Sequence, residues 1–145
     1  MAIRSMVTAD LKGVAAIECE NISPWSLESL AQELVAKQAC QFVAEKSDSQ
    51  IIGWCACRTI WPEAELLKIA VRKKDRGCGI GRLLLEHLFD ELQKRKVNSL
   101  FLEVRLENRT ALNFYERHGF AQVGSRPGYY SDPPDSAMIL KKNIS

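Results

Sequence analysis

From Ser26 onward the apolar residues Leu27, Leu30, Ala31, Leu34 and Val35 recur at i, i+3, i+4, i+7 and i+8, which lays one apolar stripe along a helix. A similar stripe, Leu11, Val14, Ala15 and Ile17, predicts an earlier helix that Thr8 can cap and that runs to about Glu20. The strand candidate Ile3 to Val7 precedes it, and a break at Asn21 to Pro24 separates the two helices. Gln41 to Glu45 and Ile51 to Ile60 are β-rich and flank Ser47, Asp48 and Ser49, so they read as an antiparallel hairpin, with Leu66 to Val71 as a further strand. Past Arg76-Gly77-Cys78-Gly79-Ile80-Gly81 the period turns helical, with Ile80, Leu83, Leu84, Leu88 and Leu92 on one side up to the basic stop Lys94-Arg95-Lys96. Ser99 to Leu106 alternates Leu100, Leu102, Val104 and Leu106 with Phe101, Glu103 and Arg105, a strand with both faces in use. A short helix over Thr110 to His118 ends at Gly119, and strands at Phe120 to Ser125 and Ala137 to Lys141 bracket an expected loop, Arg126 to Asp135.

This order of elements in 145 residues, 46% of them hydrophobic, predicts one α/β or α+β domain over residues 1–145. The net charge of +2 is too small for a surface of massed basic residues, so no nucleic-acid partner is expected. No apolar run approaches the 18 or so residues of a membrane span, and Met1 to Asp10 lacks a basic segment followed by an apolar one, so no membrane partner and a cytoplasmic location are expected. The five cysteines, Cys19, Cys40, Cys55, Cys57 and Cys78, include no Cys-x-x-Cys pair and no zinc-like spacing with histidine. They read as reduced thiols, with no metal.

The stretch with chemical content is the strand, glycine loop and helix around residues 67–92. Gly77, Gly79 and Gly81 leave main-chain N–H groups unobstructed where the following helix points its positive dipole end, an arrangement suited to a diphosphate. A dinucleotide fingerprint starting at Gly77 would need glycine or alanine at position 82, where Arg82 stands, and the Lys-Ser/Thr pair of a P-loop is absent.

The remaining pattern, Arg76-x-x-Gly79-x-Gly81 after Leu67-Lys68-Ile69-Ala70-Val71, resembles the signature of the GNAT superfamily of acyl-CoA-dependent N-acetyltransferases, and the likeness covers almost the whole chain. The resemblance implies a mixed, mostly antiparallel sheet of about seven strands flanked by about four helices. It also implies acetyl-CoA as co-substrate. The strand residues Ile69, Ala70 and Val71 would meet pantetheine, and Arg76, Gly77, Cys78, Gly79, Ile80, Gly81 and Arg82 would surround the pyrophosphate. Lys73 stands where relatives often carry proline.

An amine attacks a thioester through a free lone pair, yet α-amines with pKa about 8 and lysine amines with pKa about 10 are mostly protonated at neutral pH, so a base is needed. Glu103, set among apolar strand neighbours where partial burial would bring its pKa toward the working range, is the candidate. A donor near the departing thiolate assists its release, and Tyr115 is the candidate acid. It lies in Asn108-x-x-Ala111-x-x-Phe114-Tyr115-Glu116-x-x-Gly119-Phe120, a run similar to the GNAT segment whose tyrosine reaches the coenzyme sulfur and whose asparagine contacts pantetheine. Asn108 could equally serve as the helix cap.

Within the superfamily the likeness is to the branch that acetylates the N-terminal alanine of a ribosomal protein. Pro24-Trp25-Ser26, Glu103-Val104-Arg105, Asn108 to Phe120, and Arg126-x-x-Tyr129-Tyr130 carry that likeness. It implies a peptide acceptor bordered by Pro24, Trp25, Arg105, Tyr129 and Tyr130. Trp25 has an alternative reading as a hydrophobic staple for the second helix. The rival functions are acetylation of a small amine or lysine side chain, and a non-catalytic acyl-CoA-binding module that would need neither Glu103 nor Tyr115.

Overall fold

The structure, a computed structural model, describes residues 1–144. A seven-stranded sheet is built from β1 (Ala2–Ser5), β2 (Ala39–Glu45), β3 (Ile51–Ile60), β4 (Glu63–Val71), β5 (Ser99–Arg105), β6 (Ala121–Ser131) and β7 (Pro134–Asn143) in the spatial order β1-β2-β3-β4-β5-β7-β6. Every neighbouring pair is antiparallel except β4 and β5. The helices are α1 (Leu11–Glu18), α2 (Leu27–Leu34), α3 (Ile80–Lys94) and α4 (Arg109–Arg117). The mixed sheet and four helices are those expected from the sequence.

Two apolar cores form on the two faces of the sheet. The larger seats Leu84, Leu85, Leu88 and Leu92 of α3, all fully buried, against Leu100, Leu102 and Val104 of β5 and Cys55 and Cys57 of β3. Burying each such leucine contributes about 2–3 kcal/mol relative to exposure, so α3 is a firm support for the loop before it. The smaller core packs Val14 and Ile17 of α1 and Leu30 of α2 against Val43, Trp54, Ala56 and Ala70.

Ser26 caps α2 by accepting from the Ser29 amide, 3.1 Å. Thr8 does not cap the first helix as expected. Asp10, held by two hydrogen bonds of 2.8 Å from Arg4, accepts instead from the Val7 amide, and a short 3-10 turn over Thr8–Asp10 leads into α1. That helix ends at Glu18, two residues before the expected Glu20.

The largest departure is Arg126 to Asp135, expected as a loop. Most of it is strand, because β6 and β7 continue as a hairpin to Ser131↔Pro134. Pro127 and Gly128, which read as breakers, fall inside a register shift between Arg126 and Tyr130 that leaves residues 127–129 unpaired. Gly128 takes φ +62° there, and pairing resumes beyond it.

One irregularity shapes the site. Cys57 pairs with Leu66 and Ala56 with Lys68, so Leu67 is an extra residue that bulges β4. The parallel ladder with β5 covers only Glu63–Glu65 against Ser99–Phe101, and beyond it the two strands part. The gap opens between the C-terminal halves of β4 and β5.

Candidate active site

At one end of the gap the chain leaves β4 through a 3-10 turn (Lys73–Asp75) and enters the glycine loop. Gly77 and Gly79 have φ of +79° and +81°, a region that side-chain-bearing residues rarely adopt. Gly79 is also the N-cap of α3, and no side chain caps that helix, whose first turn carries no acidic residue. A fifteen-residue helix with free N–H groups and no competing carboxylate is a fit for an anion. At Gly81 a Cβ would stand 3.3 Å from Phe114 Cζ, so the small residue keeps α3 close to α4.

The gap and loop together enclose a cleft of about 630 Å³, lined among others by Ile69, Ala70, Val71, Arg76, Gly77, Gly79, Ile80, Gly81, Arg82, Asn108 and Tyr115. Ten of the expected coenzyme residues and the candidate acid are therefore brought to one wall. Two of them sit differently from their neighbours: Ile80 and Ala70 bury their side chains in the two cores, so each can offer the cleft chiefly main chain. Cys78 lies outside the lining, exposed, with its thiol 3.9 Å from the Arg76 carbonyl. Arg82 is half exposed and pairs loosely with Glu86 at 3.6 Å. Arg76 is held by hydrogen bonds from its Nε to the Val71 carbonyl, 3.0 Å, and from Nη2 to Asn21 Oδ1, 3.1 Å.

Asn108 is indeed the cap of α4, its Oδ1 accepting from the Ala111 amide at 3.1 Å, while it also borders the cleft. Tyr115 sits two turns further along, 8% exposed, edge-on to Phe114 and Phe120 at 5.4 Å each. Burial, and after it the proximity of Cys55, pushes the phenol pKa well above the usual tyrosine value. The hydroxyl therefore keeps its proton through any physiological range and can act only as a donor of it.

Glu103 does not line this cleft. Alternation along β5 turns it to the opposite sheet face, into a recess of about 420 Å³ with Trp61, Glu65, Phe101, Arg126 and Ile139. One carboxylate oxygen faces the Arg126 guanidinium at 3.6 Å and the other is buried without a hydrogen-bond partner. Arg105 and Tyr130 meet beside it, the guanidinium 4.1 Å from the ring centroid, and Arg126 stands 5.3 Å from the ring of Tyr129. Burial, and then the Glu103 charge, raises the Tyr130 pKa. Arg105 also donates to the carbonyls of Pro133 and Asp132, at 2.6 and 3.1 Å, so it anchors the β6–β7 turn, a part its sequence did not announce.

Pro24 and Trp25 border a third recess, of about 630 Å³, with Glu33 and Arg58 beneath α2. They are not among the residues around Glu103. The Trp25 ring packs edge-on against Trp54, with centroids 5.5 Å apart, on the smaller core that also holds Leu30 of α2. Sequence reasoning missed Arg126 as the partner of Glu103, Asn21 as the anchor of Arg76, and the buried carboxylate of Glu18. Only Glu18 had left a signal, since it continues the Leu11, Val14, Ala15 stripe at i+7. Among the described residues there is no cluster of histidine, cysteine or carboxylate side chains able to hold a metal ion, and no helix long and apolar enough to cross a membrane.

Comparison with known proteins places this geometry in context. The model of the acetyltransferase (GNAT) family matches residues 11–120. The ribosomal protein bS18-alanine N-acetyltransferase of Haemophilus influenzae is 36% identical over 145 residues, covering 97% of each chain. The Escherichia coli enzyme of the same name is 35% identical over 146 residues, covering 99% of this chain and 97% of its own. The crystal structure of the Escherichia coli ribosomal-protein-S18-alanine N-acetyltransferase superposes with a TM-score of 0.90 over 99% of this chain and 94% of that one, at 35% identity.

Proposed function

The chain belongs to the acetyltransferase (GNAT) family and is an N-acetyltransferase; from that premise we propose that it transfers acetyl from acetyl-CoA directly to the α-amine of a protein N-terminus, the N-terminal alanine of a small-subunit ribosomal protein. The observation that carries this reading is the gap between β4 and β5. It has an uncapped helix N-terminus at one end, a protonated phenol on one face and a half-satisfied carboxylate on the other. The similarity to enzymes named for a ribosomal-protein alanine supports the acceptor.

In this reading the amides of Gly77 to Gly81 and the first turn of α3 receive the pyrophosphate, with Arg76 and Arg82 at the rim. The main chain of Ile69, Ala70 and Val71, free of a strand partner on the β5 side, pairs with the pantetheine arm, and Asn108 borders the same arm. The bound thioester supplies an activated acetyl carbonyl. Glu103 takes a proton from the acceptor ammonium, and the lone pair so freed forms the C–N bond to the acetyl carbonyl. Tyr115 gives its proton to the sulfur as the C–S bond breaks, and the second proton shed by the newly bonded nitrogen returns through solvent to restore the phenol. A main-chain N–H of the Ile69–Val71 stretch meets the carbonyl oxygen as it gains charge. Attack is direct, and Cys78, outside the cleft lining, has no part in it. In this reading Arg105, Tyr129 and Tyr130, beside Glu103, form one side of the acceptor site, and the Pro24-Trp25 segment, which borders a separate recess, forms the other.

The test is thioester consumption with acetyl-CoA and peptides differing in their first residue, with an N-terminally blocked control. Turnover should favour an N-terminal alanine and vanish on blocking. Turnover that survives blocking redirects the assignment to side-chain amines.

A further inference from the structure

We infer that Glu18 is a positioning residue for the acceptor side of the active site, acting through the segment between α1 and α2. This rests on the reading above that the Pro24-Trp25 segment borders the acceptor. Glu18 is the last residue of α1 and has no exposed surface, so its carboxylate lies wholly within the smaller core. One oxygen accepts from the main-chain N–H of Trp25 at 3.0 Å and stands 3.4 Å from Lys68 Nζ. The other accepts from the indole N–H of Trp54 at 3.0 Å. One charged group thus ties α1, the segment before α2, β3 and β4 together. Lys68 follows the bulged Leu67 on β4 and precedes Ile69–Val71, the stretch assigned to the coenzyme arm.

A buried ion pair adds little to stability compared with well-packed apolar residues, because desolvating both charges offsets their attraction. What it does supply is direction. The Trp25 amide has one place to go, and that place is fixed relative to β4. The edge-on contact of Trp25 with Trp54 then follows from the same anchor, since Glu18 holds the Trp25 main chain and the Trp54 indole at once.

Glu18→Gln separates this role from simple packing. Glutamine keeps the shape but can accept from only one of the two N–H groups, because its other terminal atom is itself a donor. The expected result is a split: the KM for an alanine-led peptide rises roughly tenfold, while kcat changes less than about threefold and the KM for acetyl-CoA is unchanged. Trp25→Ala should raise the peptide KM similarly, and adding Glu18→Gln to it should raise it little further. If Trp25→Ala raises the peptide KM and Glu18→Gln does not, the positioning role is overturned while the acceptor reading stands. If neither raises it, although Glu103→Gln and Tyr115→Phe each lower kcat by about 100-fold or more, the segment is not the acceptor wall and both ideas fall. Should Glu18→Gln fail to fold, amide hydrogen exchange of the unmodified protein decides. The Trp25 N–H should exchange far more slowly than that of Ser23, and equal exchange overturns the proposal.

Discussion

The guanidinium of Arg126 stands 3.6 Å from one carboxylate oxygen of Glu103, while the second oxygen of that carboxylate is buried and unpartnered. The pairing crosses from β6 to β5 and orients the carboxylate of the proposed base, leaving its second oxygen without a hydrogen-bond partner. Glu103→Gln should therefore lower kcat by about 10²- to 10⁴-fold, the usual contribution of a general base. Affinity for acetyl-CoA should be unaffected, because Glu103 lies outside the coenzyme cleft. Steady-state kinetics with calorimetric titration of the coenzyme checks both halves. A variant with full turnover removes Glu103 from the mechanism.

Gly79→Ala addresses the phosphate end. The position has φ +81° and a new Cβ would find only the Arg82 side chain nearby, at 3.6 Å, so strain rather than collision is the expected consequence. Relieving that strain would move the α3 N-terminus away from its anion. The affinity for coenzyme A should fall about tenfold and the stability by about 1 kcal/mol. Isothermal titration and thermal melting read the two effects separately, and unchanged affinity would show that the loop amides do not hold the ligand.

Tyr130→Ala tests the acceptor side. It removes the ring under the Arg105 guanidinium, but Arg105 keeps its hydrogen bonds to the carbonyls of Asp132 and Pro133. The β6–β7 turn should survive with a loss of about 0.5–1 kcal/mol for the cation–ring contact. The peptide KM should rise several-fold with little change in that for acetyl-CoA. Equal rises in both would place Tyr130 outside the acceptor channel.

The elements that sequence periodicity located well are those with a single buried stripe. For α3, Leu84, Leu88 and Leu92 face the same core in the structure as on the helical projection. The glycine loop was legible because φ of +79° and +81° strongly favours glycine, so its composition reports its conformation. The β6–β7 hairpin was not, because Pro127, Gly128 and Pro133 carry the same local signal whether they end a strand or fill a bulge within one. Long-range partners left no local trace at all: nothing in Arg126 or Asn21 points to Glu103 or Arg76. Glu18 differs, since a carboxylate on an apolar helical stripe is itself an anomaly that calls for a buried partner.

Tyr115→Phe joins kinetics to stability. Phenylalanine preserves the edge-on packing with Phe114 and Phe120, so near neutral pH the melting temperature should change little while kcat falls about 100-fold. At alkaline pH the two proteins should diverge. Burial first, and then Cys55, raises the folded-state phenol pKa, whereas in the unfolded chain it ionises near its ordinary value of about 10. Above that pH the unfolded chain releases a proton that the folded protein retains, so unfolding becomes more favourable as pH rises. The stability this group contributes is fully present below about pH 10 and is lost progressively above it. Thermal melts from pH 8 upward should show the unsubstituted protein losing stability faster than Tyr115→Phe, with the gap opening near pH 10. Parallel curves would mean that the phenol is solvated in the folded state, and a solvated phenol would not hold its proton in reserve for the leaving thiolate.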